Sequence, residues 1–115
     1  MMRLLIAATL LLTACSTAYG EELWACDGFT SSRDNSSNGP FLLRGNGSYY
    51  QYRESGLKFE IKKIGENRGF ENFDIYIDIV PNALISTYYL MKDETSLQMK
   101  KFRWPFHFFA DCRRQ

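Results

Sequence analysis

Apolar and polar positions alternate along most of this chain in runs of four to eight residues, the period of half-buried strands. Glu22 to Asp27 (ELWACD) predicts a first strand with Trp24 and Cys26 on one face. Gly28 to Pro40 (GFTSSRDNSSNGP) has no apolar period and reads as a polar loop, expected to be the most mobile part of the domain and a first candidate for a partner surface. Phe41 to Arg44 is a short strand, Gly45-Asn46-Gly47 a turn, and Ser48 to Glu54 the returning arm of a hairpin. In Leu57 to Ile64, Leu57, Phe59 and Ile61 face one way, and Gly65 to Gly69 then turns the chain. Phe73, Ile75, Ile77 and Ile79 alternate with Asp74, Tyr76 and Asp78, the clearest half-buried pattern of all, with Asp74 and Asp78 on its solvated face. Pro81-Asn82 marks a turn. Leu84 to Lys92 and Ser96 to Trp104 pair across Asp93 to Thr95. The second of these slips phase, since Leu97 and Met99 share one parity while Phe102 and Trp104 take the other. A bulge near Lys100-Lys101 reconciles them. Pro105 interrupts pairing or sits at an edge, and Phe106 to Cys112 ends the domain with Phe106, Phe108, Ala110 and Cys112 on one face. No segment keeps a helical period. Seven to eight short strands predict an all-β fold, a single antiparallel sandwich or small barrel.

The N-terminus lies outside that pattern. Arg3 precedes Leu4 to Leu12 (LLIAATLLL), a run too short to span a bilayer but of the length of a secretory h-region. Two cleavage sites follow. Ala18-Tyr19-Gly20 has the small-x-small form of an ordinary signal peptidase site. Leu12-Thr13-Ala14-Cys15 resembles the lipobox of bacterial lipoproteins, which implies a signal peptide of residues 1–14, with Cys15 acylated as the mature first residue and several chains giving a stable anchor. The alternative is a signal peptide of residues 1–20. Residues 15–21 are then a lipidated Cys and short tether, and residues 22–115 form one β domain. Ser16 after the Cys resembles the outer-membrane sorting pattern of enterobacterial lipoproteins. The expected address is the cell envelope, on the periplasmic side of the outer membrane, or the periplasm or exterior if cleavage follows Gly20.

Charge and cysteines narrow the picture. The chain has 14 Lys+Arg against 13 Asp+Glu, so it lacks the basic excess of a nucleic-acid binder. Of three cysteines, Cys15 leaves with the signal or carries lipid. Cys26 and Cys112 remain, near the two ends of the domain. In an exported protein they are expected to form a disulfide, with buried free thiols as the alternative.

Chemistry is sparse. The single histidine, His107, shares a face with Phe109 and Asp111 and has no acid or nucleophile at working distance along its strand. Asp74, Asp78 and Glu71 read as solvated rather than as a hydrolytic pair, and no N/S zinc set exists. The expectation is a non-enzyme without cofactor or metal. Aromatics are abundant, with 9 Phe, 7 Tyr and 2 Trp. Tyr49, Tyr50, Tyr52, Tyr88 and Tyr89 cannot all face inward and form a candidate surface for a protein or glycan of the envelope.

Trp24-Ala25-Cys26-Asp27 and Ala110-Asp111-Cys112 are placed like the cysteine segments of membrane-bound inhibitors of C-type lysozyme, a family of short all-β lipoproteins. Ser55-Gly56 lies in a place loosely comparable to that family's inhibitory loop. This resemblance implies a lysozyme-inhibiting activity. The residues by themselves point to an exported, membrane-anchored binding module. A lipoprotein of phage or plasmid origin that masks a surface receptor, or a structural subunit of an envelope complex, has the same sequence features.

Overall fold

The computed structural model describes residues 21–79 and 85–115. The Leu12-Thr13-Ala14-Cys15 motif and Pro81-Asn82 lie outside them. Nine strands form one sheet: β1 (Glu22–Cys26), β2 (Thr30–Ser31), β3 (Phe41–Gly45), β4 (Tyr49–Glu54), β5 (Leu57–Arg68), β6 (Asn72–Asp78), β7 (Thr87–Lys92), β8 (Ser96–Arg103) and β9 (Phe106–Arg114). The order is β1-β3-β4-β5-β6-β7-β8-β9, and β9 pairs back with β1, so eight antiparallel strands close a barrel. The short β2 lies along the other half of β9. Of the two predicted architectures the barrel is the one formed. Closure removes the open edges that a sandwich leaves at its flanks.

The closing seam carries the disulfide. Cys26 pairs with Cys112 in the β1–β9 register, and their sulfurs are bonded at 2.02 Å. Both side chains point inward, as the parity of Trp24 and Ala110 predicts. Inside, Trp24, Leu43, Tyr50, Ile61, Tyr88 and Met99 are fully buried, so the lumen is a packed core. Gly45 is required at the tight β3–β4 corner. A Cβ there would meet the Tyr49 carbonyl oxygen at 1.9 Å.

Five expectations are corrected. The Gly28 to Pro40 segment is not a purely polar loop. Phe29 is 1% exposed in the core, and β2 ties the segment to β9. The chain does not turn at Gly65. β5 runs on to Arg68, with its register shifting between Lys63 and Gly65, and the turn follows at residues 69–71. β6 has the opposite orientation to its apolar pattern. Its partner residue for Asp78 is the buried Ile61, so Asp78 and Tyr76 face the lumen while Phe73, Ile75 and Ile77 lie on the outer wall. β8 has no bulge. Its register against β9 is continuous from Ser96↔Arg113 to Arg103↔Phe106, which sends Lys101 inward behind Leu97 and Met99 and Phe102 outward. Trp104, placed by its parity in that strand, sits in the turn beyond it at 94% exposure.

The lumen holds polar tips as well as rings. At one end Glu22 accepts from Trp24 Nε1 (3.0 Å), Tyr50 OH (2.7 Å) and Lys92 Nζ (2.5 Å), linking β1, β4 and β7 across the barrel. Burial pushes the Glu22 carboxyl up, but the three donors outweigh it and hold the group below the ordinary glutamate range. Tyr76 donates to the Gly47 carbonyl.

Two outcomes follow from this architecture. The bridge closes a span of 86 positions, which restricts the unfolded chain by about 4–5 kcal/mol. That approaches the whole stability of a small domain, about 5–15 kcal/mol. The midpoint of a thermal melt is expected to fall steeply on reduction or in Cys112→Ser, and a midpoint unmoved by reductant contradicts this. The second outcome concerns alkali. Burial, the first cause in each case, raises the phenols of Tyr50, Tyr52, Tyr76 and Tyr88 above the ordinary tyrosine range. A raised folded-state pKa gives stability that is complete below about pH 10, where the unfolded phenol titrates, and is lost as pH climbs beyond it. In a spectrophotometric titration these four phenols are expected to ionise only together with loss of the barrel. Gradual ionisation with the fold intact contradicts the burial described here.

Candidate functional site at one mouth of the barrel

At one mouth, β4 returns to β5 through Ser55-Gly56, β6 leads to β7, and β8 turns to β9 through Trp104-Pro105. Ser55 and Gly56 both have positive φ (52° and 81°), the geometry of a two-residue hairpin whose twist matches its strands. The tight turn leaves Leu57, the first residue of β5, uncovered at the mouth. Leu57 is 64% exposed, Ile85 87% and Trp104 94%. Ile79 adds a fourth apolar side chain on the connection that Ile85 ends. Single exposed apolar residues need no explanation, but several large ones on successive tips of one rim form a contact surface. Arg53 and Lys58, cross-strand partners beside the Ser55-Gly56 turn, and Arg103 before Trp104 place cations around it.

Beneath the rim lies the buried charge that the phase of β8 disguised. Lys101 is 1% exposed. Its ammonium donates to Glu54 Oε2 at 2.9 Å and lies 4.6 Å from the ring centre of Phe29, 5.1 Å from Phe59 and 5.6 Å from Phe108. The cation thus has one carboxylate and three π faces. Burial pulls its pKa below the ordinary lysine range, and the Glu54 charge opposes that shift. Asn38 donates its side-chain amide to the same Glu54, fastening the segment before β3 over the mouth. Phe29, Phe41, Tyr52 and Phe59 pack ring to ring in succession, with centres 5.0–5.1 Å apart, around this plug. Next to it, the Tyr52 and Tyr88 hydroxyls lie 2.9 Å apart, and Tyr88 donates to Asp78 Oδ1 at 2.8 Å. Asp78 Oδ2 is buried without a hydrogen-bond partner among the described residues.

One flank of the rim continues down the wall. The regular ladder between β3 and β4 holds only Arg44↔Gln51 and Gly45↔Tyr50. Toward the rim a cleft of about 580 Å³ opens between the strands, lined by Arg44, Arg53 and Lys58, with buried Phe41 and Tyr52 behind them.

The tyrosine surface expected from sequence is not assembled. Tyr50, Tyr52 and Tyr88 are in the core at 0%, 3% and 0% exposure. Tyr49 and Tyr89 lie half-buried on the outer wall, on strands β4 and β7 that are not neighbours. His107 is exposed on the outer wall, as its parity predicts, with its ring edge-on to Phe102 and Phe109. Cys15 lies outside the described residues. The rim itself went unnoticed in the sequence, although Trp104-Pro105 and Ser55-Gly56-Leu57 each put a large apolar residue beside a turn signal. Among the described residues no group of three His, Cys, Asp or Glu side chains is arranged to hold a metal ion.

The ion pair makes a direct prediction. Glu54→Gln leaves a buried ammonium without its counter-charge and is expected to cost about 3–5 kcal/mol in urea denaturation. Adding Lys101→Met to that variant is expected to recover most of the loss, because an apolar side chain then fills the aromatic cage. A Glu54→Gln protein as stable as the parent contradicts the arrangement. No protein-family profile, curated protein or solved structure matches the chain.

Proposed function

We propose that this chain is an exported, lipid-anchored binding module of the bacterial envelope that holds its partner at the rim. The observation that carries the reading is the exposure of Leu57, Ile85 and Trp104 together on one mouth, flanked by Arg53, Lys58 and Arg103. The core behind them is filled with side chains, which favours a surface partner over a ligand carried inside. Polarity of the barrel supports the anchored reading. The chain enters at Glu21, beside the Arg44 end of β3 and at the mouth opposite the rim. A lipid on Cys15 would therefore hold that far mouth toward the membrane and present the rim away from it.

A second reading narrows the partner to a C-type lysozyme. It is favoured by the disulfide joining the first and last strands of the barrel and by Ser55-Gly56 standing at the tip of an exposed turn. Such lysozymes cleave glycans with two carboxylates in a cleft. A narrow turn followed by Leu57 and Lys58 suits a cleft of that charge.

Photo-crosslinking in intact cells tests the rim. A photoreactive residue replacing Trp104 is expected to yield a discrete crosslinked species, and one replacing Glu94 at the opposite mouth is not. Equal yields at the two positions defeat the proposal. For the narrower reading, the purified protein is expected to inhibit a C-type lysozyme, with at least about a tenfold weaker effect in Lys58→Glu. Undiminished lysozyme activity at saturating protein removes that reading and leaves the rim untouched.

A further inference from the structure

The outer wall of β6 to β9 is the other surface that needs an explanation. β6 turns Phe73, Ile75 and Ile77 outward, and their neighbours across the sheet continue the apolar character. Ile75 pairs with Tyr89 and Lys100 with Phe109. The rings of Phe73, Tyr89 and Phe102 contact edge to face at 4.8 and 5.0 Å across three strands. They line a groove of about 280 Å³ together with Met91, Gln98, Glu71 and Lys100. Neither of these two charges takes part in an ion pair among the described residues.

We propose that this face is where two copies of the chain meet, with Glu71 of each copy against Lys100 of the other. A two-fold interface brings the same patch together from both sides, so whatever residue i meets, residue j meets in return. A patch that holds one carboxylate and one ammonium complements itself under that operation when the two-fold axis passes between them. A strongly acidic or strongly basic partner would instead meet one like charge. The chain's formal net charge of only +1 adds little repulsion between copies. The face lies on the wall and the rim at a mouth, so pairing leaves both rims free, and this inference does not rest on the function proposed for the rim.

The test uses the full chain, exported in bacterial cells as two differently tagged copies and extracted in detergent. One tag is expected to capture the other copy. When both copies carry Glu71→Lys, or both carry Lys100→Glu, capture is expected to fall about tenfold or more, since like charges then face each other. One copy with Glu71→Lys and the other with Lys100→Glu restores opposite charges at both contacts, and capture is expected to return. Thermal melts of the single variants should match the parent, because both positions lie on the outer surface. Absence of capture for the parent overturns the proposal. So does capture that ignores all three charge combinations, as it would if the copies merely shared a lipid micelle.

Discussion

A single ion pair sets the phase of the last third of this barrel. Lys101 and Glu54 reach each other across the lumen from β8 and β4, and the pair fixes which side of β8 faces in. Had β8 bulged to bury Phe102 and Trp104 instead, the ammonium would lie outside and Glu54 would be left under the mouth without a cation. A one-residue slip moves every side chain of a strand to the other face. The charge pair makes that slip costly, because a buried carboxylate without its partner is worse than either alternative. The mouth above it depends on the same contact. Phe29, Phe59 and Phe108 are drawn around the ammonium, and Asn38 fastens the long β1–β3 connection to Glu54.

The opposite mouth repeats the device in a wetter form. Glu22 gathers Trp24, Tyr50 and Lys92 from three strands, but Lys92 stays partly in solvent. Tyrosine suits both ends. Its ring packs in the lumen while its hydroxyl reaches a polar partner near a mouth. A barrel of eight strands has an interior just wide enough for side chains, so rings with polar tips fill it from wall to mouth.

Much of this was legible along the chain. Turn chemistry located most strand ends, and the cysteine parities placed both thiols inside. Parity alone, however, divides a strand into two faces without saying which is the inner one. β6 shows the difficulty. Three isoleucines and one phenylalanine against Asp74, Tyr76 and Asp78 favour the apolar face inside, yet the register with Ile61 decides the reverse. That register is non-local and leaves no mark on the β6 sequence. The tyrosine surface failed for a related reason, since a phenol satisfied by a buried partner has the same letter as one in water. Lys101 was hidden by the assumption that a lysine marks the outside. Its exception rests on Glu54, 47 positions away. The rim was missed because a loop apolar residue reads as noise until three connections are seen to share one end.

The pairing of β1 with β9 also bears on what such a chain is while it is being made. Strands β3 to β9 each find a neighbour already made, but β1 waits for β9 before its second side is covered. During synthesis the growing sheet therefore has two bare margins until β9 has been made. A chain cut short before Cys112 keeps them permanently, and unpaired margins are where sheets of separate molecules join. Only a chain that includes β9 can hide its own edges, and one that lacks it is exposed to aggregation and to proteolysis.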